Sequence, residues 1–136
     1  MYKSELKYHI VFCTKYRRRI LQNDLKTFLN NQIITICSKY NYKILGFDIE
    51  PEHIHICLEL EPTYSVSSVI RNLKVISSYN IFKTFPLIRN QYYWNSGFWS
   101  SGYFVSTVGN VSQDKILDYI RNQEDKIKWL KLFLLI

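Results

Sequence analysis

A chain of 136 residues, 47% of them apolar, suits one domain with a full core, here taken as residues 1–136. Its formal net charge of +7 favours a polyanionic partner, nucleic acid ahead of an acidic membrane surface. Cys13, Cys37 and Cys57 lie far apart and form no CxxC pair, so neither a zinc ribbon nor a disulfide framework is indicated, and reduced, mostly structural thiols of a cytoplasmic protein are the expectation.

No Pro/Gly/Ser-rich linker, internal repeat or low-complexity tract divides the sequence. The first residues lack the apolar run of a signal peptide, and the apolar stretch from Trp129 to Ile136 is far too short to span a bilayer, so no membrane is expected. That stretch is expected to pack on the domain or on a second subunit.

Tyr8 to Thr14 is rich in aromatic and β-branched residues and predicts a strand. Lys15 to Arg19 follows as a basic loop. Asn23 or Asp24 can cap a helix reaching about Tyr40, with Leu25, Phe28, Leu29, Ile33 and Ile36 at helical spacing. Tyr42 to Glu50 predicts a second strand, Pro51-Glu52 a tight turn, and His53 to Leu60 a third strand paired with the second in a hairpin. Ser65 to Phe82 predicts a second helix with Val69, Leu73, Ile76 and Ile81 inward. Phe85 to Ser96 reads as irregular and aromatic. Phe98 to Val108 predicts a fourth strand bent at Gly102. Ser112 caps a last helix from Gln113 to about Leu130. The order βαββαβ plus a C-terminal helix predicts an α+β, ferredoxin-like (RRM-like) antiparallel sheet. Two helices cover one face and the other is left open for a site.

Three constellations stand out. Strand side chains two apart share a face, so His53 and His55 point together with Cys57 and Glu59, away from the apolar Ile54, Ile56, Leu58 and Leu60. Two neutral imidazoles so placed can share a divalent cation; two polar surface histidines are the plain alternative. His9, in the first strand, is expected to be a structural histidine bonded within the sheet, although a third metal ligand is conceivable. Tyr119 and Gln123 lie four apart on one side of the last helix. The chain has eleven tyrosines, so spacing alone cannot choose Tyr119. Lys15, Arg17, Arg18 and Arg19 form a compact basic cluster, and Arg71, Lys74, Lys83 and Arg89 add charge. With Tyr92, Tyr93, Trp94, Phe98, Trp99 and Tyr103 interleaved, this surface suits single-stranded nucleic acid, whose unstacked bases can lie on rings.

Taken together these residues resemble the single-tyrosine HUH transposases, the TnpA family of bacterial insertion sequences. The resemblance covers nearly the whole chain. It is carried by Tyr8 to Phe12 leading to Lys15-Tyr16-Arg17-Arg18, by Pro51-Glu52-His53-Ile54-His55, and by Lys74 with Ser77-Ser78. Phe98-Trp99, Gly102-Tyr103-Phe104, and Val108-Gly109 through Tyr119-Ile120 to Gln123 complete it. Glu52 departs mildly from the family, where Asp is common at that place.

The resemblance implies a transposase that nicks and rejoins the ends of an insertion sequence. It implies that His53, His55 and Gln123 bind Mg²⁺ or Mn²⁺, and that Tyr119 on the last helix is the nucleophile, forming a 5′-phosphotyrosine. It implies single-stranded DNA hairpins at the element's ends as substrate. It also implies a homodimer whose composite sites join one subunit's tyrosine helix to the other's histidine pair. Lys15, Arg17, Arg18, Arg19 and Lys74 are the expected DNA-binding residues. No nucleotide cofactor is expected, and no P-loop pattern is present. The alternatives are another HUH enzyme (a replication initiator, a relaxase or a domesticated relative acting on palindromes) and a non-catalytic nucleic-acid-binding module of the same βαββαβ order.

Overall fold

In a computed structural model, residues 6–93 and 95–108 are described. Eight residues of β1 (Leu6–Cys13) lead through a short 3₁₀ turn at Lys15–Arg17 to α1 (Asn23–Tyr40). The chain continues through β2 (Lys43–Ile49), β3 (His53–Leu60), α2 (Val66–Thr84), α3 (Pro86–Tyr92) and β4 (Phe104–Thr107). The strands form one sheet in the order β2-β3-β1-β4. β3 is antiparallel to both β1 and β2, and β4 is antiparallel to β1. β1 and β2 therefore run parallel with β3 between them, the split βαβ arrangement expected of a ferredoxin-like fold.

Alternation decides which side of the sheet meets the helices. Ile10 and Phe12 of β1 and Ile54, Ile56, Leu58 and Leu60 of β3 join Leu29 and Ile33 of α1 and Val69, Ile70 and Leu73 of α2 in one core. Each of these side chains, fully buried, contributes about 1.5–3 kcal/mol. Register places Cys13 opposite His53, Val11 opposite His55 and His9 opposite Cys57, so these six share the other face.

β2 holds its own pattern by a bulge. Ile44 pairs with Leu58 and Gly46 with Cys57, leaving Leu45 as the extra residue. The extra residue resets the alternation. Ile44 and Phe47 thus both pack against the helix-side core, while Leu45 packs with Cys57 on the opposite side.

Local signals set the helix ends. Asn41 closes α1 in the left-handed region at φ 60°, where Asn is tolerated, and its N–H donates to the Cys37 and Ser38 carbonyls. Ser65 caps α2, its hydroxyl accepting from the Ser68 N–H. α1 begins at Asn23 with no side-chain cap bond; Asp24 in the first turn supplies charge to the helix dipole instead.

Three expectations are corrected. The segment expected to be irregular holds α3, entered through Pro86 at its first position, where a missing N–H costs nothing. The fourth strand is only Phe104–Thr107. Upstream of it a single bridge joins Trp99 to Thr14, and Lys74 Nζ donates to the Ser100 and Gly102 carbonyls at 2.9 Å, leaving those groups off the sheet ladder. Finally, the face expected to be open is closed around its histidines: His9, His53 and His55 are at most 1% exposed. The last helix, with Tyr119 and Gln123, lies outside the described residues.

Candidate active site

The histidine-bearing face is built by β1 and β3. Phe104 packs on Val11 and Cys13, and Val108 packs on Leu45 and Cys57. Burial pushes the Cys37 and Cys57 thiols up to about 12, so both stay protonated at neutral pH, as structural cysteines do.

His53 and His55 converge. Their Nε2 atoms are 3.0 Å apart. His53 Nδ1 lies 2.8 Å from Glu52 Oε1, and Arg19 Nη1 donates to Glu52 Oε2 at 2.6 Å. On the other side, His55 Nδ1 is 3.0 Å from His9 Nε2, with the two rings stacked at an interplanar angle of 8°. His9 is a diagonal neighbour of His55 across the β1–β3 ladder, which brings the rings within reach. The result is one continuous relay, Arg19–Glu52–His53–His55–His9. Burial first, and then the neighbouring His55, pull the His9 pKa down to about 4, so its ring is neutral at physiological pH.

One proton arrangement satisfies every contact of this relay, and a second leaves no proton between the two Nε2 atoms. In one, His55 Nε2–H donates to His53 Nε2, and His9 Nε2–H donates to His55 Nδ1. In the other, His53 Nδ1–H donates to Glu52 and His55 Nδ1–H donates to His9. Both Nε2 lone pairs then face one point, and only a cation between them makes that favourable. A carboxylate behind a metal-bound histidine is the usual way of setting the ring's tautomer. Adjacent ligands of an octahedral ion with bonds of about 2.1 Å lie about 3.0 Å apart, which the Nε2 separation matches. Among the described residues no group of three His, Cys, Asp or Glu side chains is arranged to hold a metal ion. A cation held by this pair would need further ligands from water, substrate or elsewhere in the chain. Gln123, implied by the resemblance, lies outside the described residues.

The model of the family described as "Transposase IS200 like" matches residues 2–123, most of the chain. The chain belongs to the IS200-like transposase family. The transposase of insertion sequence element IS200 from Salmonella typhimurium is 39% identical over 123 residues, which cover 89% of this chain and 80% of that one. The ISDra2 transposase TnpA of Deinococcus radiodurans is 26% identical over 125 residues, 92% of this chain and 89% of that one. Among solved structures, a Deinococcus radiodurans protein assigned as a transposase superposes with a TM-score of 0.73 at 27% identity, covering 90% and 93% of the two chains. A REP-associated tyrosine transposase bound to a REP hairpin shares the fold at a TM-score of 0.65 and 19% identity, over 96% of this chain and 74% of that one.

The IS200-like chain distributes its expected DNA-binding residues unevenly. Lys15, Arg17, Arg18 and Arg19 come together on the turn after β1. Arg18 is half-buried, its guanidinium carbon 5.3 Å from the Tyr16 and Tyr93 ring centres and 5.4 Å from that of Tyr92. Arg19 is engaged with Glu52 while its side chain stays 68% exposed. Lys74 stands apart on α2. Besides its two carbonyl contacts it lies over the Phe12 and Tyr103 rings, and burial lowers its pKa to about 8.

Sequence reasoning missed the relay behind the histidines. It read Arg19 as a DNA contact and Glu52 only as a departure from Asp. The signal was an arginine and a glutamate flanking the HxH strand, but no periodicity pairs residues 19 and 52. Asp48 was also passed over. It stands opposite His55 in register, on the same face, and only the bulge in β2 puts it there.

Proposed function

We propose that this chain is a metal-dependent transposase that nicks and rejoins single-stranded insertion-sequence ends, with Tyr119 as nucleophile. One observation carries the reading beyond family membership: His53 and His55 present Nε2 atoms 3.0 Å apart in a buried site, backed by Glu52 and His9. Surface histidines without a task need no such backing.

His53 and His55 would hold Mg²⁺ or Mn²⁺, with Gln123 as a further ligand. When bound, the ion supplies Lewis-acid stabilisation of charge on a non-bridging phosphate oxygen. Glu52 holds the His53 ring by accepting from Nδ1–H, and Arg19 holds Glu52. His9 stays neutral and accepts from His55 Nδ1–H, which keeps His55 Nε2 bare. The buried surroundings exclude water from the histidine face and strengthen every charge interaction there.

In the reaction, Tyr119 Oη bonds to the phosphorus and gives up its proton. The bond from phosphorus to the 3′ oxygen breaks, and that oxygen takes a proton to leave as a 3′-hydroxyl. The product is a 5′-phosphotyrosine that conserves the phosphodiester energy, so a different 3′-hydroxyl can attack it and join new strands. The substrate is single-stranded DNA folded as a hairpin. A net charge of +7 favours such a polyanion, and a protein of this fold has been captured on a REP hairpin. The working form is a homodimer with composite sites.

The deciding experiment incubates wild-type protein and Tyr119→Phe with Mg²⁺ and 3′-labelled single-stranded DNA carrying the element's end, followed by a denaturing gel. A slow labelled band for wild type, lost in the variant and with EDTA, is expected. Equal cleavage by Tyr119→Phe, or cleavage undiminished by EDTA, would remove the nucleophile or the metal from this reading. Binding without any covalent band would favour the non-catalytic module.

A further inference from the structure

The turn after β1 carries an exposed aromatic ring in a backbone conformation that aromatic residues avoid. Tyr16 has φ 60° and ψ 14°, and Arg17 follows with φ 52°. Two consecutive non-glycine residues in the left-handed region are costly and persist only where the surroundings impose them. The surroundings here are specific. Arg17 N–H donates to the Thr14 carbonyl at 2.9 Å, and Thr14 Oγ1 donates to the Arg18 carbonyl at 2.8 Å. Lys15 N–H donates to the Phe98 carbonyl and Thr14 N–H to the Glu52 carbonyl, both at 2.9 Å. The turn is thus fastened to the residue that precedes His53.

This rigid frame does not bury the ring. Tyr16 is 66% exposed, although Lys15 Nζ lies 5.9 Å and the Arg18 guanidinium 5.3 Å from its centre. Arg18 is itself held against Tyr92 and Tyr93. Strain, fastening and exposure together describe an aromatic plate fixed in solvent, with the Lys15 and Arg18 cations over the ring and most of it still open. Unpaired bases stack on such plates, while neighbouring cations meet the phosphates.

We propose that the Tyr16 ring is a stacking platform for one unpaired nucleobase of single-stranded DNA, with Lys15 and Arg17 placed to meet the adjoining phosphates. The inference rests on the single-stranded DNA reading above and adds a site to it. The turn is tied to Glu52, so the platform is anchored to the residue next to His53. A duplex, whose bases are already stacked, cannot use the platform.

The probe is a fluorescein-labelled oligothymidine, bound as a single strand and as its duplex with oligoadenosine. Tyr16→Asn removes the ring but tolerates left-handed backbone, so the turn keeps its shape. Binding of the single strand is expected to weaken roughly 5- to 150-fold in this variant, the range for losing one stacked base. Tyr16→Phe is expected to restore it. The salt dependence of Tyr16→Asn is expected to match wild type, whereas Lys15→Gln lowers the slope by about 0.7. With 5-iodouracil in the strand, irradiation is expected to cross-link wild-type protein at Tyr16. Unchanged affinity of Tyr16→Asn for the single strand, or an equal loss on the duplex, overturns the platform. Wild-type protein that cleaves its element end but ignores oligothymidine also overturns it and leaves the transposase reading standing; failure of both assays removes both.

Discussion

Glu52 gives the sharpest test of the relay behind the histidines. It is 4% exposed, and its carboxylate receives Arg19 Nη1 at 2.6 Å and His53 Nδ1 at 2.8 Å. Glu52→Gln keeps the shape and removes the charge. A carboxamide has one acceptor oxygen, so its NH₂ must face one of the two donors. Losing a hydrogen bond to a charged group costs about 1.5–3 kcal/mol. The Arg19 side chain is 68% exposed, so its share falls toward the 0.2–1 kcal/mol or so of a solvated pair. The expected loss is about 1–3 kcal/mol, which lowers the melting temperature by roughly 3–12 °C in a chain of this size. Because His53 then loses the carboxylate that sets its tautomer, Mn²⁺ affinity is expected to fall about 10- to 100-fold. Calorimetry reads the first quantity and Mn²⁺ titration by electron paramagnetic resonance the second. A variant that melts with the wild-type protein and binds Mn²⁺ equally well would show that Glu52 does not hold His53, and the relay argument would fail.

Other substitutions address the neighbouring contacts. His9→Phe fills the same space without a partner for His55 Nδ1, and Mn²⁺ affinity is expected to drop about 10- to 100-fold while the chain stays folded; wild-type affinity in a folded variant would make His9 a packing residue only. Ser77→Ala strips the acceptor from the buried Trp99 Nε1–H, 2.9 Å away, and is expected to cost about 1–3 kcal/mol in urea denaturation. An unchanged midpoint would mean that the indole has found another partner. Lys74 makes stability depend on pH. Its pKa falls from 10.5 to about 8 on folding, so between these values the unfolded chain holds a proton that the folded chain has released. Stability therefore rises with pH across that window and is flat in this group below it. The difference in melting temperature between wild type and Lys74→Gln is expected to move in favour of wild type from pH 8 to 10.5; a difference independent of pH would contradict the burial of Lys74 as a cation.

Much of the fold was legible because its signals are local. The alternation of His53 to Leu60 assigned one face to the core and the other to the histidines. The helical spacing of Leu25, Leu29, Ile33 and Ile36 found α1, and that of Val69, Leu73, Ile76 and Ile81 found α2. Other features were not local. α3 lacks an apolar period in seven residues, so nothing marked it apart from Pro86. Phe98 to Tyr103 has the composition of a strand, but burial of Trp99 and the reach of Lys74 to two carbonyls took it out of the sheet.

By itself the sequence determined the element types, the face that carries His53 and His55, and the membership of a transposase family that those motifs already resembled. Periods of 2 and 3.6 and short ordered motifs are properties of neighbouring residues, so they survive in one dimension. Only the tertiary structure decided that the histidines are buried, that His9 stands behind His55, and that Arg19 and Glu52, 33 positions apart, stand behind His53. Those contacts depend on the register of β1 against β3 and on where the turn after β1 is fastened. Register is set by the packing of whole strands against α1 and α2, which no single segment encodes.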